Sequence, residues 1–575
     1  MKDEQSGRWS AEKPAPEEFV AECLRAFPDL GTEKPVLPQL LWNRGITGIG
    51  AIGSFLHPDY DLHTYDPFLL TDMSRAVSRI RLGLERGEEI VVFSDYDADG
   101  VCGAAILSEF LTVAGGRITV LIPDRLKESY GLSRHHIAEC KERNISLVIT
   151  VDCGVTDHDE IHYARSVGID VIVVDHHVVS SRPVDAYAVV DHQQADETYP
   201  ERILSGAGLA YKLVQALIAD GAGREQSYRP GREKWSLDLV AIAAIADVVP
   251  LVGENRAFAW YGLKVMRAMR RLGLAAMLYQ LGVLAGDVDE ETVGFVIAPR
   301  LNAASRMAHA DLAFGLLTAT DAATAGHLAA LLEGHNTSRK VTVERIMQEL
   351  DLRLQETPIP SLVFEGALHW SPGVLGIAAS RLVDRFARPV FLYGVTTSGL
   401  AKGSVRSPEG VHAVELMREV KELFIDFGGH ERSGGFSFHP DRAPALALRL
   451  HDALARMEAP RLNQEGPHAD AELNLADVHS GMYEVVRRLA PFGNGNPVPR
   501  FLIRRARISN IRAVGNDGAH LKLRFEGDTQ GIYFRAPVVN FHAGDIVDVV
   551  GELQKNTWNG STRVELRVVD MRHAT

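Results

Sequence analysis

Cysteine is scarce: four in 575 residues, Cys23, Cys102, Cys140 and Cys153, with no CxxC pair. That excludes a disulfide framework and a cysteine-ligated zinc module, and it fits a reducing cytoplasm. No run of about 18 apolar residues exists, so no membrane span is expected. The opening MKDEQSGRWSAEKPAPEE has no apolar core and is not read as a secretory signal. Internal repeats and long low-complexity tracts are absent as well. Positive charge is in deficit, with a formal net charge of −14. Taken alone that disfavours a nucleic-acid partner. Yet Pro491–Thr575 holds twelve Lys and Arg against eight Asp and Glu. A basic end on an acidic body is compatible with nucleic acid held by one domain or groove.

The remainder has an ordinary globular balance of 46% hydrophobic and 24% charged residues, in a length that suggests three or four domains. Residues 1–80 read as a helical segment with Pro-rich breaks. From about residue 85, continuous apolar strands alternate with helices, which implies a parallel sheet covered on both faces. This α/β region spans 81–321. A stretch without proline, 322–356, reads as a connecting helix. A second, mixed α/β domain occupies 357–460. After a polar linker, 468–575 shows about five strands punctuated by Gly, Asn and Asp, the pattern of a small all-β barrel of the oligonucleotide/oligosaccharide-binding (OB) type.

Four strand-like runs of the first α/β region stop abruptly in acids or imidazoles. VVFSDYDADG ends in Asp95, Asp97 and Asp99. LVITVDCG ends in Asp152, VIVVDHHVV in Asp175, His176 and His177, and AYAVVDH in Asp191 and His192. One such ending is an ordinary loop. Four within about a hundred residues are not, although Asp191 and His192 read equally well as strand caps. In an open parallel sheet, ligands bind beyond the carboxyl ends of the strands, so these side chains converge on one crevice. Carboxylates about 4 Å apart repel by roughly 1–4 kcal/mol, and divalent cations are the natural offset. Carboxylate and imidazole without thiolate suit Mn²⁺ or Mg²⁺, and several bridging acids suggest two ions about 3.5–4 Å apart, as used in phosphoryl chemistry. Asp247, at the end of an Ala/Val/Ile helix in AIADVVPL, is a further candidate ligand.

DYDADG, VDCG, VDHH, AIADVVPL and PRLNAASRM follow one another in the order that resembles the DHH phosphoesterase superfamily, most closely its RecJ family of single-strand-specific 5′-to-3′ DNA exonucleases. HWSPGVLGIAASRL, KGSVRS and GGHERSGGFSF resemble the family's DHHA1 domain, and LAPFGNGNPVPRFLI the entry to its OB barrel. The resemblance implies that Asp95, Asp97, Asp152, His176 and Asp247 hold two divalent metals, with Asp152 as the bridge. It implies that Asp175 orients His176, that His177 contacts the scissile phosphate or tunes the site, and that Asp99 supports the ligands or shapes the loop. Asn302 and Arg306 would reach substrate phosphate. Arg381, Arg406 and His430 would grip the strand, with Gly428 and Gly429 allowing close approach. The implied activity is metal-dependent hydrolysis of single-stranded DNA to 5′-mononucleotides in repair and recombination. The implied partners are a single-stranded-DNA-binding protein and a RecQ-type helicase, and the chain is expected to act as a monomer.

Three positions depart from the family pattern: Ser305, Ser371 and Ser433, where Gly, His and Ala are usual. Phe93 stands where some relatives carry a histidine. His135, His136 and His162 read as surface helix residues. Arg500, Arg504, Arg505, Arg507 and Arg512 read either as a basic face or as an ordinary exposed strand face. Phe501, Tyr533, Phe534 and Trp558 read as base-stacking or, more often for strand aromatics, core residues. Two other functions fit the catalytic motifs: hydrolysis of short RNA or small nucleotides, and a non-catalytic strand-binding scaffold. The C-terminal barrel speaks against the first, and the full set of candidate metal ligands against the second.

Overall fold

Strands that are apolar on both faces need helices above and below, and the chain supplies them. In a computed structural model the described residues are 9–30, 35–128, 130–180, 182–223, 228–354, 359–396, 399–457, 466–515, 518–536, 541–558 and 561–574, the side chains of 558 and 561 excepted. They fall into two compact units. One comprises Met1–Tyr65, Val248–Trp260 and Asn463–Thr575; the other comprises Asp66–Asp247 and Tyr261–Leu462.

The second unit opens with helix α1 (Met73–Arg86) and a five-stranded parallel sheet. Its strands are β1 (Glu89–Ser94), β2 (Arg117–Leu121), β3 (Leu147–Val151), β4 (Asp170–Val174) and β5 (Ala188–Val190), in the order β2-β1-β3-β4-β5. Residue 80, the expected edge of the N-terminal segment, falls inside α1. That helix is tied to the sheet by buried Arg79, which donates to Glu88 and Asp170 at 2.8 and 2.6 Å. Val91, Phe93, Val148, Val171 and Val173 pack into a core on one face with Ile137 and Ile161. Helices α2 (Ala98–Val113), α3 (Gly206–Ala219) and α4 (Leu237–Ala246) are buried almost all round, as their Ala- and Gly-rich sequences permit. Helix α5 (Ala298–Met307) precedes α6 (Ala322–Leu354), a 33-residue helix matching the expected connector. Leu332, Val343, Ile346 and Leu350 of α6 are buried, so it is a packed element as well as a link.

A second sheet follows, built from β6 (Val363–Ala367), β7 (Val390–Val395), β8 (Ala401–Arg406), β9 (Asp426–His430) and β10 (Ser433–Phe438), with helix α7 (Pro372–Phe386) between β6 and β7. Its order is β9-β10-β8-β7-β6, and only β6 and β7 run parallel.

In the first unit, strands β11 (Phe501–Val514), β12 (His520–Phe525), β13 (Gln530–Tyr533), β14 (Ile546–Trp558) and β15 (Ser561–His573) form a barrel that closes through β11 and β14. Phe501 and Tyr533 belong to its core, together with residues of the N-terminal helices such as Phe19, Leu37 and Leu40. Phe501 and Tyr533 are therefore packing residues, whereas Phe534 is half exposed. The side chain of Trp558 lies outside the described residues. Three of the five arginines read as a basic face are paired: Arg500, Arg504 and Arg507 with Glu552, Glu472 and Glu526.

Candidate metal centre

Register makes the site. Ser94 pairs with Val151, Val151 with Val174, and Val174 with Val190, so four strands stop abreast. Each next residue is an aspartate, and the ladder runs one step further. Asp95, Asp152 and Asp175 donate their N–H groups to Val151, Val174 and Val190 at 3.1, 2.9 and 3.2 Å. Asp95, Asp152, Asp175 and Asp191 thus form a buried row at the carboxyl edge of the sheet. Asp152 takes a left-handed conformation with φ of 60°, uncommon for a residue with a side chain and tolerated best by Asn and Asp.

The turn after β1 is equally constrained. Asp97 caps α2, its Oδ1 accepting the N–H groups of Asp99 and Gly100 at 2.9 and 3.3 Å. A Cβ at position 100 would lie 2.4 Å from the Asp95 backbone oxygen, and one at Gly206 would lie 2.7 Å from the Asp152 Cβ. Only glycine lets these backbones approach. Asp99, expected to support the ligands, accepts the N–H groups of Gly206 and Ala207, both at 2.7 Å, and so fastens α3 to the turn.

The acids and imidazoles gather into three overlapping groups: Asp95, Asp97 and Asp152; Asp152, His176 and His177; Asp99, His176 and Asp247. His176 Nε2 lies 3.1 Å from Asp152 Oδ1 and 3.7 Å from both Asp99 Oδ2 and Asp247 Oδ2. Asp152 and His176 each belong to two groups. All five expected ligands are therefore brought together, and Asp99 stands close enough to join them.

Electrostatics point the same way. Burial, and then the facing Asp97, pushes the Asp95 carboxyl well above the usual range. Burial, followed by Asp99 and its neighbours, does so for Asp152, and burial pushes Asp247 up to about 8. Burial lowers the His176 imidazole toward its neutral, ligating form. Asp95 Oδ1 and Asp152 Oδ1 are buried with no hydrogen-bond partner among the described residues. Orphaned carboxylate oxygens converging beside a neutral imidazole fit a divalent-cation centre.

Asp175 behaves otherwise than expected. It reaches His176 only through the backbone N–H, at 2.8 Å; its ring contact, 2.7 Å to Nδ1, is with His177. The His176 ring turns instead to the other carboxylates. Burial opposes a charge on His177, but the Asp175 carboxylate wins and pushes it up to about 9. His177 also stacks on His430, with centroids 5.8 Å apart and planes 16° apart. His430 thus lies against the metal row.

Other expectations fare unevenly. Asn302 spends its side-chain oxygen on the Ala98 N–H at 2.8 Å, bracing the α2 turn. Arg306 donates to the Gly373 carbonyl at 2.9 Å, and burial, then Arg125, Arg406 and Arg339, pushes it down to about 9. Arg406 is likewise lowered by burial and Arg125. Arg381 pairs with Glu344 at 3.3 Å. At Gly429, with φ of 141°, a Cβ would strike Ser433 across the hairpin, whereas Gly428 opens to free space. The need for glycine at 429 comes from the β9–β10 pairing. Ser305 is buried and contacts the Asn302 carbonyl; Ser371 precedes α7 without a side-chain cap bond. His136, read as a surface residue, is buried against Phe93 with its ring nitrogen 3.1 Å from Glu128.

Two residues were missed. Arg125 lies over the Tyr96 ring at 4.7 Å and joins Arg306 and Arg406 in a cationic cluster beside the acids. Tyr130 donates to the Asp152 carbonyl at 2.8 Å and sits edge-on to His177. Both come from the loop after β2, which carries no motif.

Three family models match: the DHH family N-terminal domain over residues 89–244, the DHHA1 domain over 360–456 and the RecJ OB domain over 469–570. The single-stranded-DNA-specific exonuclease RecJ of Bacillus subtilis is 33% identical over 547 residues, covering 93% of this chain and 68% of the relative. The crystal structure of RecJ with Mn²⁺ from Thermus thermophilus matches with a TM-score of 0.82 at 30% identity, covering 99% of this chain and 80% of that one. Its Mg²⁺ complex matches with a TM-score of 0.77 at 29% identity.

Proposed function

The chain belongs to the RecJ family, and from that premise we propose that it is a single-stranded-DNA-specific exonuclease of DNA repair and recombination, working 5′ to 3′ and releasing 5′-mononucleotides. The observation that carries this reading is the row of aspartates with orphaned oxygens beside His176, next to a cluster of arginines.

Asp95, Asp97, Asp152, His176 and Asp247 would hold the divalent ions, Mn²⁺ or Mg²⁺, with Asp99 within reach. When bound, such ions supply Lewis-acid charge at phosphorus and a water acidic enough to serve as nucleophile near neutral pH. The protein's own groups do the rest. Asp175 fixes the His177 ring and favours its cationic form, which offsets negative charge growing on the phosphate. Arg125, Arg306 and Arg406 present planar guanidiniums suited to strand phosphates. Tyr130 steadies the Asp152 backbone and offers a ring beside the reacting group. The barrel gives the strand a second hold, and the exposed Phe534 is its candidate stacking residue.

No helix among the described residues is long and apolar enough to cross a membrane. A cytoplasmic monomer, fed by a RecQ-type helicase and a single-stranded-DNA-binding protein, completes the proposal.

An oligonucleotide labelled at either end, incubated with Mn²⁺, with Mg²⁺ or with chelator, tests it. Metal-dependent release of the 5′-terminal mononucleotide, with duplex spared, is expected. Release from the 3′ end would refute the polarity, and an intact strand in every condition would refute the nuclease.

A further inference from the structure

A cavity of about 950 Å³ opens along the C-terminal half of α2, the helix whose first turn carries Asp97 and Asp99. Phe110 in its wall lies thirteen positions beyond Asp97 along the helix, roughly 20 Å, so this is not the metal row. Its lining includes the apolar side chains of Phe110, Val113, Val120, Phe314 and Leu317.

Its charged groups are unequally satisfied. Arg271 donates to both Glu109 and Asp238, at 2.6 and 2.8 Å, which settles three of them. Asp311 is well exposed and pairs with His309. Two guanidiniums remain, Arg232 and Arg270, and neither has an acidic partner among the described residues. Each instead lies on an aromatic ring: Arg270 over Trp235 at 3.9 Å, Arg232 over Tyr228 at 5.6 Å. Stacking covers one face of a guanidinium and leaves its N–H edge free for oxyanions. Trp235, a large aromatic, is 41% exposed at this site.

A size typical of small-molecule sites, apolar side chains in the lining and two unpaired guanidiniums make a complement to one ligand class. We propose that this cavity binds a nucleoside 5′-monophosphate, its base against those apolar side chains and its phosphate dianion between Arg232 and Arg270. The ligand is of the class that the nuclease reading makes the reaction product, and the inference rests on that reading for its source alone.

The probe is 5′-dAMP, titrated against the full chain in chelator and followed by tryptophan fluorescence, with W235F as the control for which residue reports. Saturable quenching that W235F lacks is expected. The R232A/R270A double variant should bind dAMP about tenfold more weakly or worse, the scale of losing charge-assisted hydrogen bonds. It should still digest single-stranded DNA at the normal rate when no dAMP is added. Deoxyadenosine and inorganic phosphate should each bind less tightly than dAMP. Unchanged binding in R232A/R270A, no saturation, or deoxyadenosine or phosphate equal to dAMP would overturn the site. Asp152→Asn separates the two claims: it should lose nuclease activity yet bind dAMP as the parent does. Retained activity in that variant would sink the nuclease mechanism and leave the cavity standing.

Discussion

At the scale of single residues, the row of aspartates sets function against stability. Asp152 is buried, left-handed and surrounded by like charge, which no fold would choose for its own sake. Asp152→Asn should therefore cut metal-dependent strand cleavage by about 10²-fold or more, the scale of losing one electrostatic element of an active site. The same change should raise the melting temperature in chelator near neutral pH, because it removes a buried carboxyl that the unfolded chain ionises more readily. A fall in both would show Asp152 to be structural. Arg125 lies in a loop that no motif marks. Arg125→Ala should weaken binding of single-stranded DNA by about 1–3 kcal/mol in chelator and lessen the salt slope by about one unit, read by fluorescence anisotropy. Arg504→Ala, which only breaks a pair with Glu472, is the control. The contrast shows what the residues revealed and what they hid. Acids at strand ends are legible because the apolar run before them fixes where the strand must stop. The partner of Asp175 was not, since both rings of His176 and His177 follow it and only the path of the chain decides which turns back. Arg125 and Tyr130 depend on the course of a loop, and loop courses leave no period in the sequence.

At the scale of elements, the site depends on register. Four strands end level because each residue pairs with its neighbour without a bulge, and this sets Asp95, Asp152, Asp175 and Asp191 side by side. The parallel sheet was legible from continuous β-branched runs, and α6 from a long stretch free of breakers. The edge of the N-terminal segment was not: α1 continues past residue 80 because Arg79 and Ile80 belong to the sheet's packing, a tertiary fact. The turn from β1 into α2 is the tightest joint. Gly100→Ala would place a Cβ 2.4 Å from the Asp95 carbonyl oxygen. We expect about 1–3 kcal/mol of destabilisation, or more, measured as a shift in the denaturant midpoint. Unchanged stability with full activity would show that the turn relaxes freely.

At the scale of the whole molecule, the charge burial becomes a pH dependence. Burial pushes Asp157 up to about 7 and Asp191 and Asp247 up to about 8, from an ordinary value of 3.8. The folded chain holds these protons after the unfolded chain has released them. The contribution of these three acids to stability in chelator should therefore be greatest near pH 4 and be lost as pH rises toward about 8, a loss that buried His192, lowered to about 4, opposes only below about pH 6.5. Divalent metal should lessen the fall by neutralising Asp247, and thermal melts across that range with and without Mn²⁺ measure it. A melting temperature that rises over this range in chelator would contradict the burial of these acids. The barrel, legible from its punctuated strands, offers less unpaired positive charge than its arginine count promised, because Glu552, Glu472 and Glu526 pair with three of those arginines.

The proposed nuclease activity passes through the claim that the carboxyl edge of the first sheet is a metal centre. Calorimetric titration of the full chain with Mn²⁺ tests it most directly. Two ions per chain are predicted, with binding severely weakened in Asp152→Asn, whose side chain belongs to two of the three ligand groups. No binding, or binding that Asp152→Asn leaves unchanged, would contradict the account.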